Sequence, residues 1–219
     1  METKNQLTKE GIAAFEKMAH EGAKKASVSL SKLINQETEV MALAVRTLPV
    51  EKIPEIVGSP EDMVTTVIME IKGDVNGSLA LVYPQKSALN IADLLAKREI
   101  GSTAQLAELD KSALKESGNI IAGSFLAAIS DYLTINMVES IPDIATNMLK
   151  ATIDFMLAGF IKKGVSDTVA FEIDFGMGTT TTTATEKIKA YFVLLLDTES
   201  AAKVLGSLKK ISGGRDMAE

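Results

Sequence analysis

The chain has 219 residues, 46% hydrophobic and 24% charged, with a net charge of −6 and a pI near 5.0. That is enough apolar material for one large domain or two small ones, and the composition is not that of a disordered chain. The acidic balance disfavours nucleic acid as a partner. The absence of cysteine excludes disulfides and thiolate chemistry, and a single histidine, His20, cannot build a multi-histidine metal site within one chain.

The amino terminus, METKNQLTKEG, is polar and mixed in charge, unlike a signal peptide. The longest charge-free apolar run, IIAGSFLAAIS at 120–130, is about half a membrane span. Both predict a soluble, cytoplasmic chain with no membrane segment. Helical spacing of apolar residues predicts a first helix over 7–35. Strands are expected at 38–47, 64–72 and 77–83, the last two joined as a hairpin by GDVNG. A helix over 84–98 starts near Pro84. A second long helix is predicted over 104–131, a strand at 132–138, and an extra helix over 145–163 ending at Gly164. Strands follow at 168–176, where Val169, Phe171, Ile173 and Phe175 alternate with Ala170, Glu172 and Asp174, and at 188–196. The threonine-rich run TTTTTAT at 179–185 reads as a long hairpin loop. A last helix over 198–210 has Thr198 as its expected N-cap, and 212–219 is a loose tail.

This order repeats. GSLALVYPQKSALNIADLLAK at 77–97 aligns without a gap against AYFVLLLDTESAAKVLGSLKK at 190–210, and HEGAKKASVSLS at 20–31 against NIIAGSFLAAIS at 119–130. The expected fold is α+β: a duplicated helix–strands–helix unit, 7–98 and 104–211, within one domain spanning 1–219. Paired about a pseudo-twofold axis, the halves would form one continuous, largely antiparallel sheet with helices packed on it. An internal twofold favours a monomer.

Chemistry concentrates in SALKESGNIIAG at 112–123. At roughly 100° per residue, Ser112, Glu116 and Asn119 fall within about 60° of one another on the second long helix. Gly123 shares that face and keeps its surface low. The apolar set (Leu106, Ala113, Leu114, Ile121, Phe125, Ala128, Tyr132) centres on the other side. The polar stripe is therefore expected to be exposed. A solvated helix face would look the same. No nucleophile–base pair can be drawn from these residue types, but a carboxamide can donate one hydrogen bond, accept another, and so orient a water.

Ser112-x3-Glu116-x2-Asn119, with Pro142 after a further 22 residues, resembles the motif of the CheC-type phosphatases of bacterial and archaeal chemotaxis, Asp/Ser-x3-Glu-x2-Asn-x22-Pro. ESGNIIAG is similar to the family's wording around that asparagine, and the similarity of architecture spans essentially the whole chain. The resemblance implies hydrolysis of the phospho-aspartate of the response regulator CheY. Asn119 would orient the attacking water and Glu116 would pair with the regulator's active-site lysine. Ser112 would help orient the helix contact, and Pro142 would shape the segment supporting the helix. The family's chemistry needs no cofactor of its own; the Mg²⁺ belongs to the partner receiver.

Many such proteins carry the motif in both halves, and this chain departs from that pattern. The gapless alignment sets Lys17 against Glu116, His20 against Asn119 and Leu43 against Pro142. A shift of one restores Glu16 but brings Ala19 to the asparagine position. One working site is expected, in the second half, with His20 a surface or packing residue of a degenerate half; the alternative is that His20 stands in for Asn119 as a water-orienting group in a second site, which Lys17 beside it disfavours. The alternative function is a non-catalytic CheY-docking module, as in flagellar-switch relatives of this fold, or an adaptor regulating a CheD-type receptor deamidase. The intact Glu116 and Asn119, and a length without an appended β-rich switch domain, favour the phosphatase.

Overall fold

The computed structural model describes residues 9–48, 52–161, 168–179 and 188–213. In chain order the elements are α1 (Lys9–Ile34), β1 (Thr38–Leu48), α2 (Pro54–Val57), β2 (Met63–Gly73), β3 (Gly77–Pro84), α3 (Gln85–Leu95), α4 (Glu108–Leu133), β4 (Met137–Glu139), β5 (Asp143–Met148), α5 (Leu149–Ile161), β6 (Thr168–Thr179), β7 (Ile188–Asp197) and α6 (Thr198–Gly213). The strands form one antiparallel sheet in the order β1-β6-β7-β3-β2-β4, with β5 pairing β2 beyond β4. Fold class is thus α+β, as expected.

Strand pleating divides the core in two. Val67, Met69, Ile71, Leu79, Leu81, Phe192 and Leu194 face α1, α3, α4 and α6. Val64, Ala80, Val82, Val193 and Leu195 face α5 and the Ile53 turn ahead of α2. β3 and β7 are the sheet's centre, buried on both faces, which is why they read as continuous apolar runs. Their ladder pairs Ser78 with Leu195, Ala80 with Val193 and Val82 with Tyr191. The alignment that sets Gly77 against Ala190 turns the first of these pairs into the last and leaves Ala80–Val193 in place.

Three expectations need correction, and one short helix is added. The alternation YLTINMV at 132–138 does not form a strand from Tyr132. α4 runs on to Leu133 because Leu133 continues its apolar face into the core at 4% exposure. Thr134 then ends the helix in the left-handed region, at φ 54°. The helix predicted from 145 begins at Leu149, and 143–148 is instead the edge strand β5. Its mostly exposed residues carry no apolar alternation to announce it. The N-cap of α6 is Asp197, whose carboxylate accepts the Ser200 N–H at 2.7 Å, and Thr198 is the first helical residue. The short α2, opened by Pro54, was not foreseen. The facing of residues 169–175, most of the threonine-rich loop, Gly164 and the tail beyond 213 lie outside the described residues.

Candidate functional site

α4 is fixed before its polar face begins. Asp110 accepts the Ala107 N–H at 2.9 Å, satisfying one of the free donors at the helix start, and its other oxygen takes Arg98 at 2.5 Å. Leu114, Ile121, Phe125 and Ile129 bury the underside. Gly118 rests on Val67 of β2, where a Cβ would come within 3.0 Å of that side chain. Phe125 meets Phe192 of β7 with ring centroids 5.2 Å apart. From α1, Gly22 crosses so closely that a Cβ there would sit 2.8 Å from the Phe125 Cα. The helix is held from below, from the side and at its start, and one face is left over.

That face carries the predicted stripe. Ser112 and Glu116 are exposed, and Asn119 and Gly123 are half-buried. Among the described residues, none of the three polar side chains makes a hydrogen bond or ion pair. Neighbouring serines behave differently: Ser117 donates to the Leu114 carbonyl at 3.0 Å and Ser124 to the Ile120 carbonyl at 2.7 Å. The stripe's hydrogen-bonding capacity is directed outward.

Asn119 stands in an open groove of about 620 Å³ between α4 and α1, lined also by Gly123, Lys24, Lys25 and Val28. Lys25 reaches across to Asp131 at 2.9 Å and ties the helices together. Lys24 has no charge partner among the described residues. The first-half counterparts are used otherwise. The Lys17 ammonium lies 5.7 Å from the centroid of the Tyr132 ring, a cation–π contact. His20 is exposed, and its Nδ1 donates to the Glu16 carbonyl at 2.7 Å. It opens on a separate cleft against β1, lined by Glu39 and Met41.

Pro142 lies in the interruption between β4 and β5. From Ile71↔Glu139 to Ile68↔Asp143, β2 advances three residues and its partner four. One extra residue is thus accommodated where a proline cannot donate to the ladder. Ser140 bridges the break: its N–H reaches the Glu70 carbonyl at 2.8 Å and its hydroxyl accepts the Glu70 N–H at 3.0 Å. Leu43, set against Pro142 by the repeat, is the residue skipped where β1 slips against β6 between Ala42 and Ala44.

A residue that sequence patterns missed joins the site here. The Glu139 carboxylate lies over Gly123, with Oε1 2.9 Å from where a Cβ would stand. The low surface expected at Gly123 is therefore occupied by a side chain of this chain. Only the register of β4 against Ile71 could have pointed to it, and β4 itself was misplaced in the expectation.

Among the described residues no group of three or more His, Asp or Glu side chains could hold a metal ion, and no helix is long and apolar enough to cross a membrane. The family model described as chemotaxis phosphatase CheX matches residues 65–154. The chain is 23% identical over 210 residues to the CheY-P phosphatase CheC of Bacillus subtilis, covering 93% of this chain and 96% of that one. Its fold is similar to that of Thermotoga maritima FliY, at a TM-score of 0.71 and 18% identity over 93% and 98% of the two chains. It is also similar to the FliM middle domain from H. pylori, at 0.62 and 12% over 92% and 99%.

Proposed function

We infer that this chain, a CheC-type chemotaxis protein, hydrolyses the phospho-aspartate of a CheY-type receiver through the outward face of α4. The observation carrying this reading is that Glu116 and Asn119, with no partner among the described residues, stand on one face of a firmly held helix, with Ser112 a turn earlier. Phosphoryl transfer asks mainly for alignment and charge stabilisation, so a protein can accelerate it without a nucleophile of its own. The Asn119 carboxamide holds a water in line with the bond between phosphorus and the aspartyl oxygen. Glu116, three residues earlier, pairs with a lysine of the receiver and sets the depth of docking. Ser112 extends that contact, and Pro142 sets the slip that carries β4 against α4. The divalent cation belongs to the receiver.

The test is the decay of a receiver labelled with acetyl phosphate, with and without the protein. Wild type shortens the lifetime, and Asn119→Ala removes at least about 100-fold of the acceleration, as expected when a reacting group loses its alignment. Retained binding with no acceleration by the wild type would make the chain a docking module or an adaptor for a CheD-type deamidase. Acceleration that survives Asn119→Ala would place the chemistry elsewhere.

A further inference from the structure

We propose that Glu139 is a second docking carboxylate, which fixes the receiver's rotation about Asn119 by pairing with a basic side chain near the phosphorylation site. The inference rests on the phosphatase reading above and extends its docking surface. The first observation is positional. β4 is paired so that Glu139 stands opposite Ile71, and both Ile71 and Met137 on that side are buried in the helix-facing core. Alternation therefore puts a carboxylate on an apolar row, where a Leu or Val would bury well. The second is its neighbour. Glu139 is half-buried against the α4 backbone at Gly123, the one residue type there without a side chain to displace it.

The third is the absence of a partner. Among the described residues Glu139 makes no hydrogen bond or ion pair. Lys72, beside it in the ladder, is taken by Glu70 at 3.1 Å, and Lys25 by Asp131. Glu116 and Glu139 thus bracket Asn119 by about a turn on either side, two carboxylates without a partner among the described residues. One ion pair fixes a point, and two fix an orientation. In-line attack needs the orientation, because a carboxamide swung about a single contact would not keep its water behind the phosphorus.

The experiment measures binding to a receiver loaded with Mg²⁺ and beryllofluoride, a stable phosphoryl mimic, alongside hydrolysis kinetics. Glu139→Gln is expected to weaken binding about three- to tenfold, to raise KM more than it lowers kcat, and to flatten the salt dependence of binding. Gly123→Ala drives the carboxylate from its seat and should show the same loss. The double variant should be no worse than either single one, because both remove one contact. Wild-type affinity and salt dependence in Glu139→Gln would overturn the proposal and leave the residue as a charge guarding a sheet edge. Fully additive losses would overturn it too. Two controls run in parallel separate the two readings: no acceleration by the wild type removes the phosphatase reading, and wild-type hydrolysis by Asn119→Ala moves the chemistry away from Asn119, while the Glu139 result is still read from binding.

Discussion

Asp93 has no accessible surface, yet it is charged, and its surroundings explain why. Burial by itself would push its carboxyl up. Hydrogen bonds from the Thr103 hydroxyl at 2.5 Å and the Thr103 N–H at 3.2 Å, from the Ser102 hydroxyl at 3.1 Å and from the Gly101 N–H at 2.9 Å outweigh it and hold the pKa at about 2. Arg98 Nε adds an ion pair at 3.1 Å, and the same guanidinium continues to Asp110 at the head of α4. A buried charge so satisfied is a brace for the loop entering the site helix. Asp93→Ala should destabilise by about 2–4 kcal/mol in denaturant unfolding, because several donors and a cation lose their acceptor together. The pH dependence has a definite sign. The folded pKa lies below the ordinary 3.8, so the stabilisation is full above that value and is lost as pH falls towards about 2. The gap in unfolding midpoint between wild type and Asp93→Asn should therefore narrow across that window and hold steady above it.

At the scale of elements, the packing of α1 on α4 decides what the site helix can present. Gly22 and Phe125 meet backbone against backbone, so Gly22→Ala forces the helices apart and should lose about 1–3 kcal/mol, with slower hydrolysis following from the displaced α4. Gly206 of α6 faces open space within 4 Å, and Gly206→Ala should instead gain about 0.5–1 kcal/mol, the ordinary preference of a helix interior for alanine. Thermal unfolding of the two variants side by side checks both signs. Elements with strong periodicity, α1, α4, the β2–β3 hairpin and β7, could be read from the chain because burial on one or both faces writes itself into residue type. β4 and β5 could not. Three and six residues long at an edge, they pair with β2; β4 is too short to set a period, and the mostly exposed β5 carries no apolar alternation. The site divides the same way. Ser112, Glu116 and Asn119 share one helix, where spacing alone fixes facing. Glu139 reaches them from a strand whose register only the folded sheet reveals. The start of each half shows a common device: Ser31 bonds the Thr38 N–H and carbonyl, and Ser130, its alignment partner, bonds the Met137 N–H and the Ile135 carbonyl. Asn35 and Thr134, likewise aligned, both turn left-handed at φ 47° and 54°.

For the whole molecule, the sheet order read from either end meets the same succession, an edge strand from one half against two strands of the other, then the mirrored set. We read this as a duplication that kept its scaffold and specialised its faces. A symmetric ancestor would dock two receivers. Here the position matching Glu116 is Lys17, seated over Tyr132, and the position matching Asn119 is His20, bonded to its own helix backbone. A lysine also repels the receiver lysine that Glu116 is proposed to bind. The chain should therefore take one receiver, not two. Isothermal titration of the beryllofluoride-loaded receiver into wild type should end at one per chain, and light scattering should give the mass of a one-to-one complex. His20→Ala should leave both the stoichiometry and the hydrolysis rate unchanged, whereas Glu116→Lys should remove the only docking event. Two receivers per chain, or a loss of half the activity in His20→Ala, would mean that the first half still works, and that the alignment partners of Glu116 and Asn119 dock by chemistry other than a carboxylate and a carboxamide.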